Sequence, residues 1–110
     1  MSQNLSRADI GAIGVIESYS DLREPLYRIL DWPELSHFQR GICLAAMVEG
    51  HRAGDGHPLV SRIAAVMGVE DRQIAEVMKG RTLPYSLGYI GRDSEQRLMP
   101  SEGLTYGAQS

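Results

Sequence analysis

Two short stretches, 59–67 and 71–79, each carry apolar residues at helical spacing, and each runs into a glycine, Gly68 and Gly80. They also echo one another, Ile63-Ala64-Ala65-Val66-Met67 against Ile74-Ala75-Glu76-Val77-Met78. The pattern predicts two short helices closed by C-terminal glycines and joined by a tight turn. Neither can bury its apolar face alone, so the two must pack on each other and on a third helix. That third helix is predicted from Ser36, which forms a capping box with Gln39, through Phe38, Ile42, Ala45, Ala46 and Glu49 until Gly50. A loop rich in breakers, Ala53-Gly54-Asp55-Gly56-His57-Pro58, separates it from the pair.

Two further helices are expected upstream. Ser6 with Asp9 is a capping-type start, and Ile10, Ile13 and Ile16 then form a stripe toward Tyr19. Gly11 and Gly14 each cost about 1 kcal/mol relative to alanine inside a helix, which points to close packing against a neighbour. A phosphate-cradling loop is the other reading of that Gly-x-x-Gly, but no strand precedes it and no P-loop lysine follows. Leu22, Leu26, Ile29 and Leu30 share one face of a second helix that ends before Trp32-Pro33, with Pro25 tolerable only in its first turn.

The paired helices meet the needs of a helix-turn-helix. Such a motif takes a small residue where the helices cross, a glycine able to adopt positive φ at the turn, and apolar residues that fix the crossing. Ala64 supplies the first and Gly68 the second, followed by Val69, with Ile63, Met67, Ile74 and Val77 facing inward. The stretch 59–80 thus resembles the helix-turn-helix of bacterial and phage regulators, whose second helix enters the major groove. Downstream, the run from Leu87 to Met99 alternates poorly as a helix and reads as two short strands around a polar turn at Arg92 to Glu95, giving a hairpin near 85–99.

A hairpin after a helix-turn-helix is a wing, and the order of elements from 36 to 103 resembles the winged helix-turn-helix domains of the MarR-like regulators. Gly88-Tyr89-Ile90-Gly91-Arg92, the acidic turn Asp93 to Gln96, then Arg97 and Gly103 match that family's wing. The sequence departs from the family at Gly80, which breaks the fifth helix, and at Thr82-Leu83-Pro84, which lengthens the path to the wing. Glu70-Asp71 replaces the usual serine or threonine cap, although Asp71 still caps a helix well. The family's long dimerising helices have no counterpart.

If the fifth helix reads DNA, its outward residues are Arg72, Gln73, Glu76 and Lys79, with Arg81 just beyond it, while Arg92 and Arg97 flank the wing. The alternative for the helix residues is a solvated face on which Glu76 pairs with Lys79 or Arg72. For Arg92 and Arg97 it is a cross-strand pair with Asp93 or Glu95. Charge leaves the partner open. The net charge is −3, but six acidic and three basic residues fall in 1–35, so 36–110 is neutral.

Catalytic and metal chemistry are poorly supported. Cys43, the single cysteine, lies in Ile42-Cys43-Leu44-Ala45 and reads as a small hydrophobe. His37, Cys43, His51 and His57 lack the close spacing of zinc ligand pairs. No basic, apolar leader follows Met1, and runs such as Ile42 to Met47 fall far short of the ~20 residues that cross a bilayer. A cytoplasmic protein away from membranes is expected.

The sequence therefore leads to a mainly α chain of about five helices with a helix-turn-helix and a small β-hairpin wing. Its expected role is a non-enzymatic, cofactor-free transcriptional regulator acting on double-stranded DNA. The alternative is a protein-interaction module on the same fold, an antiactivator or docking subunit that does not bind DNA tightly, favoured by the acidic N-terminal third and by Glu70-Asp71. Residues 1–35 form an acidic helical segment serving dimerisation or core extension, 36–103 the winged helix-turn-helix, and 104–110 a disordered tail. A homodimer through 1–35 would suit a regulator that reads two half-sites.

Overall fold

The capping box at Ser36 starts the helix around which the others assemble. In the computed structural model, which describes residues 7–32, 35–54, 56–79, 84–88, 95–101 and 104, this helix is α3, with α1 (Arg7–Glu17) and α2 (Arg23–Leu30) before it. A 3-10 turn at Ser20–Leu22 links α1 to α2. α3 spans His37–Ala53, and α4 (Val60–Met67), α5 (Asp71–Met78), β1 (Tyr85–Gly88) and β2 (Arg97–Pro100) follow. The chain is mainly α, with five helices and one two-stranded antiparallel hairpin among the described residues.

Both halves of the Ser36 capping box are present. Ser36 Oγ accepts from the Gln39 N–H at 3.1 Å, and Gln39 Oε1 accepts from the Ser36 N–H at 2.9 Å. Gln39 also reaches across to another helix, where its Nε2 donates to the Val77 carbonyl at 2.9 Å and joins the start of α3 to the last turn of α5. That accounts for a buried glutamine. Gln39→Ala removes the cap partner and strands a half-buried carbonyl, so the urea midpoint should fall by the equivalent of about 2 kcal/mol. An unchanged midpoint would show that water replaces the amide at no cost.

α3 does not stop at Gly50, as the sequence pattern implied, but runs on to Ala53 and ends at Gly54 with φ 88°. Gly50 leaves room for a neighbour and does not break the helix. A Cβ there would stand 3.1 Å from the Gly56 backbone, whose N–H donates to the Gly50 carbonyl at 3.1 Å. The returning loop lies directly on the helix at that point.

α1 and α2 pack on α3. Ile16, Leu26 and Ile29 are fully buried in the same core as Ile42, Ile63 and Leu98. The expected stripe of α1 is corrected in register. Ile10 is 59% exposed, whereas Asp9 is buried and Ile13 is half-buried. Uniform steps of three residues drift about 60° around a helix each time, so Ile10 stands about 120° from Ile16, at the edge of the side that Ile13 and Ile16 share. The inward line is 9, 13 and 16. Gly11 and Gly14 have open space where a Cβ would stand, so no close approach within the described residues explains them.

α4 and α5 pack on one another, as the pattern required. Ala64 is 2% exposed, and Gly68 takes φ 72° at the turn. The Val69 N–H returns to the Ala64 carbonyl at 3.0 Å and closes the end of α4. Ile63, Ile74 and Met78 fill the core side, with Met67, Val69 and Val77 partly buried around them.

β1 and β2 pair from Tyr85↔Pro100 to Gly88↔Arg97. The other edge of β2 is occupied too: Leu98 N–H donates to the Pro58 carbonyl at 2.9 Å, and Val60 N–H to the Gln96 carbonyl at 3.0 Å. Leu59 and Arg97 form the bridge between these bonds. β2 therefore lies between β1 and the residues leading into α4. Leu104, within the stretch read from sequence as a tail, is 1% exposed in the core, and 105–110 lie outside the described residues.

Candidate nucleic-acid interface

Burial of Ile74 and Met78, four residues apart, fixes which side of α5 faces the core. At about 100° per residue, Arg72, Glu76 and Lys79 then fall together on the opposite side, with Gln73 on its flank. All four are exposed. The helix begins at Asp71, as expected, but its N-cap is Glu70 and not Asp71, in extended conformation at φ −91°, ψ 150°. Gln73 is the third residue of the helix, and its Oε1 accepts from the Glu70 N–H at 2.9 Å. The side chain predicted to read a base thus folds back over the helix start.

Arg72 is held as well. Its Nη2 lies 3.3 Å from Glu70 Oε1, with the two side chains 81% and 72% exposed. An ion pair so open to water is worth about 0–1 kcal/mol. It pre-positions the guanidinium at the start of α5 without holding it against a stronger anion.

Arg97, on β2, donates from Nη1 to the His57 carbonyl at 3.0 Å, so it braces the loop before α4. Arg81 and Arg92 lie outside the described residues, as do Asp93 and Ser94 of the expected turn. The structure thus brings Arg72, Gln73, Glu76 and Lys79 onto one helical segment and places Arg97 on the second strand of the hairpin.

No protein-family model, characterised protein or solved structure matches the chain. Function rests on this geometry and its chemistry.

Burial pushes the Cys43 thiol up to about 12, with nearby Arg40 pulling only weakly the other way. It stays a protonated apolar filler. Among the described residues no three side chains of metal-binding type are grouped, and His51 instead stacks on Tyr19 with ring centroids 3.9 Å apart. Among the described residues, no helix is long and apolar enough to cross a membrane. A groove of about 560 Å³ opens between α1, α3 and the end of α4, with Val15, Phe38, Val48 and Val66 among its apolar walls.

One cluster escaped the sequence reading. Glu49, read only as a position on the α3 stripe, is a buried carboxylate that binds Arg52 Nη1 at 3.3 Å and Arg62 Nε at 3.1 Å. Arg52 follows it by three residues and was legible as a helix pair. Arg62 sits on another helix, and only the α3–α4 packing brings it there.

Proposed function

We propose that the chain is a small transcriptional regulator that binds double-stranded DNA, with α5 as the reading helix and the β1–β2 hairpin as a wing. The observation that carries this reading is the double pairing of β2, with β1 on one edge and the residues before α4 on the other. Helix, bridging strand, helix, turn, helix and hairpin in that order resemble a winged helix-turn-helix, with the MarR-like arrangement noted from the sequence. The exposed Arg72, Glu76 and Lys79 on the outer side of α5, with Gln73 on its flank, support α5 as the reader. The role is one of binding and needs no cofactor.

The test is binding of the full chain to random duplex DNA across a salt series. Non-specific affinity is mostly phosphate electrostatics, so a DNA reader should bind at low salt and weaken steeply as salt rises. On a selected site, replacing Arg72 and Gln73 by alanine should remove sequence discrimination of about 1–3 kcal/mol per base contact, while loss of the Gln73 cap on the Glu70 N–H lowers stability by about 1 kcal/mol and leaves the protein folded. Absence of binding at low salt would move the function to the second reading.

That second reading is a protein-interaction module, an antiactivator or docking subunit. Two observations favour it: Glu70 and Asp71 at the start of α5 would face a phosphate backbone, and the apolar groove beside α1 could receive a partner's side chains. A homodimer through residues 1–35 belongs to the DNA reading. It draws support from the outer side of α1, where Ile10 is 59% exposed beside the open Gly11 and Gly14. Sedimentation should then show a two-fold species that Ile10→Glu dissociates, and a monomer at every concentration would remove the dimer.

A further inference from the structure

The cluster around Glu49 does more than tie two helices together. Arg52 at the end of α3, Arg62 on α4 and Arg97 on β2 line one cleft of about 270 Å³, together with Glu49, Pro58 and Leu59. Three guanidiniums and one carboxylate line it, Arg52 and Arg62 held by Glu49 and Arg97 by the His57 carbonyl. Glu49 is 6% exposed and acts as the anchor. It engages one nitrogen of Arg52 and one of Arg62, while those side chains stay 63% and 62% exposed. Guanidinium carries several N–H donors in a rigid fork, so contacts of this kind orient both groups and leave further donors turned toward the cleft and solvent.

We propose that Arg52, Arg62 and Arg97 form a phosphate-binding cleft whose natural occupant is a backbone phosphate of nucleic acid. The occupant rests on the DNA reading above; the anion chemistry does not. Phosphate is the group that fits, because its tetrahedral oxygens can accept from several guanidiniums at once, whereas the cleft already has its carboxylate in Glu49. Position supports the nucleic-acid source. The cleft sits where α4, the helix that leads into α5, begins and where β2 starts at its hairpin-tip end. Contacts here would set register on the duplex and carry no sequence information. Glu49 is a positioning residue.

Two measurements on the full chain test this. The first is affinity for a random duplex by fluorescence anisotropy from about 20 to about 200 mM salt. Removing Arg52 and Arg62 alone would leave Glu49 buried without them and could unfold the protein, so the variant is Glu49→Gln with Arg52→Ala and Arg62→Ala; Arg97→Ala is made separately. The triple variant should lower the salt slope by about two and weaken low-salt binding by about tenfold for all sequences equally. It should still unfold in one cooperative transition, at a somewhat lower temperature because the buried amide has lost both arginine partners. The second measurement follows the Arg side-chain Nε–Hε signals by NMR as inorganic phosphate is added. Saturable shifts at Arg52 and Arg62, displaced by duplex at a far lower concentration, are expected.

If wild type binds duplex and the folded triple variant binds it with the same affinity and slope, the cleft proposal is overturned while the DNA reading stands. If wild type binds no duplex, the DNA reading and the nucleic-acid source fall together. Saturable phosphate shifts would then uphold a site for a free phosphate compound, and their absence would overturn the site altogether.

Discussion

Ala64→Glu should abolish cooperative unfolding. Ala64 is 2% exposed on α4, which packs on α5, and its carbonyl accepts the Val69 N–H that shapes the turn. A carboxylate at that point meets Ile63 and Ile74 in the core instead of water, at a cost of several kcal/mol, and its added volume forces the helices apart. Domains of this size are stable by only about 5–15 kcal/mol, so the two effects together approach or exceed the whole. The measurement is thermal unfolding followed by circular dichroism. Ala64→Gly is the control: it keeps the helices packed, costs about 1 kcal/mol of helix propensity and should still melt in one transition. A Glu variant with an unchanged melting curve would contradict that packing.

The second large effect concerns the N-terminal third. A chain starting near Pro33 loses α1 and α2, and with them Ile16, Leu26 and Ile29, all fully buried against the rest of the core. Removing them uncovers the part of α3 on which both helices pack. Such a fragment should fail to unfold cooperatively and should aggregate or bind a hydrophobic dye. Leu26→Ala in the full chain tests the same packing more gently, with an expected loss of about 2–5 kcal/mol in denaturant titration. A truncated chain that folds as a stable monomer would show that these helices only decorate a self-sufficient core.

Those two variants also mark what could be read from residues alone. The start of α3, the turn at Gly68 and the paired strands were legible because each rests on local chemistry: a hydroxyl reaching the third N–H, a glycine with φ 72°, alternation over a few residues. The register of α1 was not. Its isoleucines spread over about 120° of the helix, which leaves Ile10 at the edge, and a buried aspartate took one of the inward places. Gly50 looked like an ending because nothing in the sequence reveals that the Gly56 backbone returns onto it. In the candidate site, the exposure of Arg72, Gln73, Glu76 and Lys79 followed from helical periodicity, but the folding of Gln73 onto the Glu70 N–H did not, since a cap begun at Asp71 would have left it elsewhere. Arg62 meeting Glu49, like Gln39 meeting Val77, depends on how helices stack across long separations in the chain.

The double pairing of β2 bears on how the protein opens. A hairpin joined to its domain on one edge only can peel away by breaking its own rungs. Here, releasing β2 also frees the Pro58 carbonyl and the Val60 N–H at the threshold of α4. The hairpin and α4 should therefore behave as one cooperative unit in hydrogen exchange. The amides of Val60 and Leu98 should share a single opening free energy, and denaturant should lower both in parallel. A chain built this way tilts its hairpin and α4 together, so an event felt at one is delivered to the other without any intervening hinge.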